Sequence, residues 1–379
     1  MNKILIFFIL CSFTLAQKAD LTSAILAFQK NDNAAAKEFI DIAYDKFMQK
    51  GIDQEKPKIV SKFWYNRGEI YYALGDFDVA TESFINDLNL NAKGGLQKKS
   101  VLSLQNCAAQ FYNLAYENYE SENFLISAKY FEKTYEIKSH PSIGVLDTTS
   151  LYSACVVYSR VPDFLNSNRI AKNLISINSK EDRYHIQLIS SLKGLEKKDE
   201  LLSAINFARN EIPSSIDFMY EEVDFYLEKG DNEGLISSLD NAIKVDPNNP
   251  ILYFVLGQTS QDLGKLDIAE ESYLKAINID SDYFNAYNNL ASIYVNQTVS
   301  MTEEMNSLGM SSSDQKKYEQ IVKKRTSLYA KAVPYLENCI RIEPNNLDAL
   351  RVLKEVYYAL DDTDSFMMIR KKIAELESN

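Results

Sequence analysis

One spacing constrains this chain more than any other feature of its 379 residues: small or apolar residues set twelve and then seven apart, recurring every 34. The sets are Cys155/Ser167/Leu174, Ile189/Leu201/Ala208, Val223/Leu235/Ala242 and Gly257/Ala269/Ala276. Around the last of them, Tyr253, Leu256 and Gly257 fall on one helical stripe and Ala269, Tyr273 and Ala276 on the next, with Gly264 breaking the two apart. Small residues at those places let two helices approach closely and admit the following pair. Pro213 and Pro247 come after predicted helix ends, and Pro250 stands where a new helix can begin. Chance apolar spacing imitates one such unit easily; it does not imitate four in phase. The spacing predicts a chain of helix-turn-helix units, each unable to bury its apolar face alone.

The unit is plainest in the stretch from Pro250 and in "FWYNRGEIYYALGDFDVATESF", with Trp64, Gly68, Tyr71, Gly75, Phe77, Ala80 and Phe84. These residues resemble the tetratricopeptide repeat (TPR), a helix-turn-helix unit of the same length. Weaker copies stand at Ala24/Ala36/Ala43 and Ala115/Ser127/Thr134. The final unit, with Leu350, Leu353, Tyr357 and Phe366, ends in the charged "MMIRKKIAELESN", suited to a solvated cap. The resemblance implies an all-α fold, a TPR-like α-solenoid of about nine helix pairs wound as a right-handed superhelix with a concave inner face. It covers nearly all of the chain, as N-terminal TPR-like units over residues 17–145 and a C-terminal array over 146–379. Trp64, Tyr71, Phe84, Tyr253, Tyr273, Tyr287 and Tyr294 are expected to be packing residues.

One unit breaks the spacing. Ala291 should meet a small residue twelve places on, yet its counterpart is Ala332, 41 places on, so 29 residues are additional. The register then resumes at Cys339 and Pro344. Tyr287, Leu290, Tyr294, Met301, Met305 and Leu308 form one helical stripe, and Tyr318, Ile321, Arg325, Leu328, Ala332, Tyr335 and Cys339 another. "GMSSSDQ" between them offers a glycine stop and a Ser312-to-Gln315 capping box. The expectation is an extended helical hairpin at about residues 295–331, each helix lengthened by ~14 residues and projecting ~20 Å. Met301, Met305 and Met310 are placed near its tip, as an adaptable apolar docking surface. A self-packed hairpin and a tip folded back over the groove are the other two readings.

Composition narrows the partners. Only 12 Gly and 8 Pro stand beside 24 Tyr and 19 Phe, which excludes collagen-like and disordered chains. With 41 basic and 53 acidic residues the net charge is −12, the wrong sign for a phosphate-backbone binder, so no nucleic-acid partner is expected. At the N-terminus, Lys3, the apolar run Ile4 to Leu15 and the small-x-small Thr14-Leu15-Ala16 form the pattern of a signal peptide over residues 1–16, cleaved after Ala16. That run is too short for a permanent span, and no later segment reaches the roughly 18 apolar residues one needs. The mature chain is therefore expected to be exported, periplasmic and without a transmembrane segment. Leu10 precedes Cys11 where a lipid anchor needs a small residue. Cys107, Cys155 and Cys339 each lie in an apolar helical stripe, and are expected to be buried small hydrophobes.

Reactive constellations are scarce. His140 and His185 are the only histidines and fall on different units, neither with a helical partner for a metal. There is no Gly-rich phosphate loop, Gly-x-Ser-x-Gly elbow or Cys-x-x-Cys pair, and "DNEG" at Asp231 lacks the alternating ligands of a calcium loop. No enzyme activity, metal site or cofactor is expected. The resemblance instead implies a protein or peptide partner on the concave face. Transferred to this chain, that face holds Tyr220, Asp224, Leu227 and Glu228, then Phe254, Gln258, Gln261 and Asp262, then Asn288 and Ser292, then Arg351 and Glu355. Tyr220 and Phe254 are the expected anchors. The Lys/Arg clamp of some family members is missing from this face, and its acidic character favours a neutral or basic segment. Together these features describe a non-catalytic interaction scaffold or adaptor of the bacterial cell envelope, associated with outer-membrane proteins. The alternative is a periplasmic glycan- or lipid-binding accessory of an envelope enzyme system.

Overall fold

Helices and the turns between them account for the regular structure of this computed structural model, which describes residues 18–90 and 95–378. The expected leader, its cleavage point at Ala16 and Cys11 lie outside the described residues. By compactness the chain divides at Ala204/Ile205 into two units, whereas repeat strength divided it near residue 146. In the first unit the helices are α1 (residues 18–29), α2 (Asn33–Lys50), α3 (Pro57–Ala73), α4 (Phe77–Leu88), α5 (Gln97–Glu120), α6 (Phe124–Ser139), α7 (Thr148–Arg160), α8 (Phe164–Ile177) and α9 (Asp182–Gly194). The division falls inside α10 (Lys198–Glu211). The second unit continues with α11 (Ile216–Lys229), α12 (Asn232–Val245), α13 (Pro250–Asp262), α14 (Leu266–Ile279), α15 (Phe284–Ser307), α16 (Ser312–Ile342), α17 (Leu347–Ala359) and α18 (Thr363–Glu377). Read in order, successive helices pack as pairs among the described residues, α3 with α4, α5 with α6, α7 with α8, α11 with α12, α13 with α14, α15 with α16 and α17 with α18: an all-α solenoid architecture within each unit.

Local chemistry explains the punctuation. Asp32, Asp76, Asp163, Asp231 and Asp362 each cap the second helix of a pair, their carboxylates accepting the N–H three residues on. Just before the second helix the backbone turns through a left-handed residue: Gly75, Gly230 and Gly264 in three pairs, but Glu122, Glu196 and Asp361 in others. The capping box of the inserted hairpin is one residue earlier than the sequence implied. Ser311, not Ser312, caps α16, accepting the Asp314 N–H at 3.1 Å and donating to the Asp314 carboxylate at 2.7 Å. Ser312 falls inside the first turn, from which its side chain cannot serve the third N–H.

The small-residue sets are the contact points between paired helices. Cys155, Ser167 and Leu174 are fully buried, as are Ala269 and Ala276. A side chain added at Gly257 would stand 2.5 Å from the Tyr273 ring, and one at Gly68 would stand 2.4 Å from Phe84, so the glycine makes room for an aromatic sixteen residues later in both units. The set that begins at Gly68 departs from the rule. Gly68 and Ala80 are followed at the third place by Asp87, a fully buried carboxylate. Its Oδ2 accepts from the Ser100 hydroxyl at 2.6 Å, while Oδ1 is buried without a hydrogen-bond partner. Burial pushes the Asp87 carboxyl up from the ordinary aspartate range.

The inserted residues lengthen one pair: α15 has 24 residues and α16 has 31, against 13 and 14 in α13 and α14. The extension is uneven, because the chain leaves the helix at Leu308, beside Gly309, and α16 takes the larger share. The two arms zip together through the Thr298 hydroxyl on the Tyr329 hydroxyl at 2.9 Å and through Leu328, which belongs to the same core as Leu290 and Tyr294.

Candidate functional site

The residues transferred to the concave face are brought together only in part. Tyr220 on α11 is half-buried, and its hydroxyl donates to Asp246 at 2.7 Å and accepts from Asn249 at 2.8 Å. That hydroxyl ties α11 to the turn entering α13, while the ring stays partly exposed. Phe254 on α13 is half-buried: it packs edge-on to Tyr283 at 5.2 Å and beside Tyr273 at 5.9 Å, at the core margin. Gln261 accepts from the Tyr273 hydroxyl at 3.0 Å, and the Ser292 hydroxyl donates to its own helix at the Asn289 carbonyl. Asn288 is half-buried. Arg351 is engaged by Glu377 at 2.8 Å, and Glu355 by its neighbour Lys354 at 3.0 Å. What stays exposed without an ion pair among the described residues is Asp224, Leu227 and Glu228 on α11 with Gln258 and Asp262 on α13. The three carboxylates among them form no ion pair among the described residues, so this face is acidic rather than aromatic.

The hairpin tip is likewise less apolar than its sequence. Met301 packs against the core of the second unit and the Met305 sulfur lies 3.7 Å from the Arg325 guanidinium. Only Met310 is fully exposed.

An aromatic surface not singled out from the sequence lies in the first unit. Tyr116 and Tyr119 of α5 face Tyr152, Val156 and Val157 of α7 across a cavity of about 240 Å³ floored by Phe131 of α6. Tyr112 adjoins it, edge-on to Phe131 at 5.7 Å. Tyr116 is 56% exposed, and Tyr112 and Val156 are also solvent-facing, so large apolar groups remain uncovered together. Two guanidinium groups stand at the rim. Arg160 lies over Phe124 at 4.4 Å and donates to the Tyr119 hydroxyl at 2.6 Å. Arg183 stacks on Tyr152 at 4.8 Å and Tyr184 at 5.4 Å, with Glu181 at 3.0 Å. A cavity of rings with phenol and guanidinium donors at its edge can seat an apolar side chain and hydrogen-bond the backbone carrying it.

A signal for this surface exists in the sequence. Tyr112, Tyr116 and Tyr119 stand around Ala115 as Tyr220, Asp224 and Leu227 stand around Val223, and Tyr152 and Val156 stand likewise around Cys155. Applying the same offsets to the Ala115 and Cys155 sets reaches the cavity.

Groups with reactive potential are packed away. Cys107, Cys155 and Cys339 are free and fully buried, and burial pushes their thiols up to about 11, 11 and 12. Cys155 donates to the Ser167 carbonyl at 3.3 Å, across the helix pair. His140 sits in the turn after α6, where its Nδ1 accepts the Ser142 N–H at 3.3 Å. His185 is buried on α9 with Nε2 at 2.9 Å from the Ser179 carbonyl. Asp231 serves as a helix cap. Among the described residues no three His, Cys, Asp or Glu side chains converge as a metal site, and no helix is long and apolar enough to cross a membrane.

A tetratricopeptide-repeat family model matches residues 61–86, in α3 and α4, and a second TPR-repeat model matches residues 261–297, from the end of α13 into α15. No curated protein matches the chain. Similar solved structures include the MamA protein, 17% identical over 52% of this chain and 92% of that one, with a TM-score of 0.39. Another is YrrB, described as a TPR protein with an unusual peptide-binding site, at 13% identity over 55% and 93% with a TM-score of 0.39. A third is TTC0263, a thermophilic TPR protein of Thermus thermophilus, at 17% identity over 49% and 98% with a TM-score of 0.30.

Proposed function

Because the chain carries tetratricopeptide repeats in both of its units, and such repeats bind protein or peptide segments, we infer that it is a non-catalytic interaction scaffold. The tyrosine-lined cavity of the first unit is the observation that carries this reading. Partly exposed rings from two successive first helices, held in place by stacked arginines, leave apolar area unburied at a site shaped for one side chain. The occupant it fits is a peptide segment presenting an aromatic or branched aliphatic residue. The acidic face of α11 and α13 in the second unit suits a neutral or basic segment, giving the scaffold two chemically distinct surfaces.

Location belongs to the same proposal. The charged, apolar and small-x-small pattern of the first 16 residues supports export to the periplasm and an adaptor role in a bacterial cell envelope, with outer-membrane proteins among the partners. Protein purified from the periplasmic fraction of its host should begin at Gln17 by N-terminal mass spectrometry; recovery of the intact N-terminus from the cytosol would defeat the export reading. For the cavity, Tyr116→Ala should leave stability within ~0.5 kcal/mol, since the ring is largely solvated. The same change should remove partners captured by cross-linking in the host. An unchanged set of partners, or thermal stabilisation by glycans or lipids in place of peptides, would count against a peptide scaffold.

A further inference from the structure

Resting on the reading of the α11–α13 face as a binding surface, we propose that the basic segment it receives is the α15–α16 arm of a second copy of this chain. The charge distribution is lopsided. Basic and acidic residues balance over residues 1–204, so the net −12 is carried entirely by residues 205–379. Inside that acidic unit the extension of α16 is the exception. Between residues 312 and 331 it carries Lys316, Lys317, Lys323, Lys324, Arg325 and Lys331 against Asp314 and Glu319 alone.

The extension sorts these charges by face. Ile321, Leu328 and Ala332 are buried against α15, Lys317 is paired with Glu304 at 2.8 Å, and Arg325 turns toward Thr302. Outside that buried face Lys316, Lys323, Lys324 and Lys331 recur at i, i+7, i+8 and i+15 in one band with Gln320 and Ser327, Lys316 and Lys323 on the outer side and Lys324 and Lys331 on its flank. All four are exposed and none forms an ion pair among the described residues; Lys331 only overlies the Tyr294 ring, at 5.5 Å. This lysine stripe is ~22 Å long at 1.5 Å per residue.

The receiving face is its counterpart. Asp217, Asp224 and Glu228 recur on α11 at i, i+7 and i+11, and Asp262 stands on α13 one repeat of 34 residues after Glu228. All are exposed and without an ion pair among the described residues, and the α11 run is ~16 Å long. Opposite stripes of similar length, both left in water by a single chain, are satisfied by apposing two copies arm to face. Such a contact is heterologous, so it propagates rather than closing on a pair. An anionic lipid surface suits the arm less well, because the apolar face of α16 is already buried and has nothing to insert. Two bodies of charge −12 repel at a distance, so the attraction acts only within the Debye length of ~8 Å at physiological salt, where the stripes touch.

Sedimentation of the mature full-length protein over a concentration series, at low and at high salt, tests this. The expected result is concentration-dependent association at low salt that is lost at high salt. A quadruple Lys316→Glu, Lys323→Glu, Lys324→Glu, Lys331→Glu variant should weaken it at least ~10-fold, as should Asp217→Lys, Asp224→Lys, Glu228→Lys. Mixing the two variants should restore association, since each reversed surface then meets its complement. A monomer at every concentration overturns the proposal. If that monomer binds oligolysine through Asp224 and Glu228, the face remains a binding surface and only self-association falls. A monomer that instead binds phosphatidylglycerol vesicles through the lysines overturns it in favour of a lipid surface.

Discussion

Replacing Gly257 by alanine is the sharpest test of how the repeat is held together. An exposed helical glycine gains stability on becoming alanine, by about 1 kcal/mol. Here the new methyl would stand 2.5 Å from Tyr273 Cε1 and 2.7 Å from Cδ1, well inside contact distance. The ring cannot simply rotate away. It is fully buried, its hydroxyl is bonded to Gln261 at 3.0 Å and approached by Asn289 at 3.3 Å, and Phe254 lies alongside at 5.9 Å. Overpacking of this kind costs about 1–3 kcal/mol. Set against the propensity gain, the net expectation is a loss of ~1 kcal/mol, reaching ~2 if the hydroxyl bonds break. Urea unfolding followed by circular dichroism measures it, and the fluorescence of the single tryptophan, Trp64 in the first unit, supplies an internal control that should not move. In a Tyr273→Leu background, which removes the ring edge, the same Gly257→Ala change should turn from destabilising to neutral or favourable. Equal effects in both backgrounds, or a Gly257→Ala protein more stable than the parent, would refute the close-approach account of the repeat.

Two further outcomes follow from the first unit. Burial raises the Asp87 carboxyl in the folded state, so the folded chain holds more protons than the unfolded one just above the ordinary aspartate range, and stability falls as pH rises through that window. Asp87→Asn should therefore flatten the pH dependence of the melting temperature there and raise it at neutral pH; an unchanged slope would dissociate the buried carboxylate from stability. Glu196 holds φ at 55° in a turn where other units place glycine. Glu196→Gly should stabilise by ~0.5–1 kcal/mol in chemical denaturation, relief of the left-handed strain outweighing the added chain entropy.

The helix pairs were legible because their contacts are steric and periodic: Gly257, Ala269 and Ala276 leave the same mark wherever two helices must touch. Breaks were legible for a similar reason, through Pro250 and Gly264. Surface roles were not. Tyr220 and Phe254 occupy offsets that face the groove in an ideal unit, but here Asp246 with Asn249 claims one and Tyr283 the other. Such claims come from side chains 26 to 29 residues away, which no local pattern exposes. The tyrosine cavity escaped for the opposite reason, since Ala115, around which Tyr112, Tyr116 and Tyr119 stand, lies in a copy where the repeat is faint. The methionines of the hairpin were read as a tip because their spacing is apolar, while the lysines that dominate its exposed side are spread too evenly to catch the eye without a helix to sort them.

The three cysteines lend themselves to a use unrelated to catalysis. Cys107 and Cys155 belong to the first unit and Cys339 to the second, and each thiol is both sealed from solvent and held mostly protonated. A maleimide can reach them only when the surrounding helices part, so alkylation followed residue by residue by mass spectrometry becomes a clock for opening. The unaltered chain thus carries separate timers for its two halves. In an oxidising compartment the same shielding would have a protective meaning: these three thiols escape scrambling because packing, rather than pairing, keeps the sulfur out of reach.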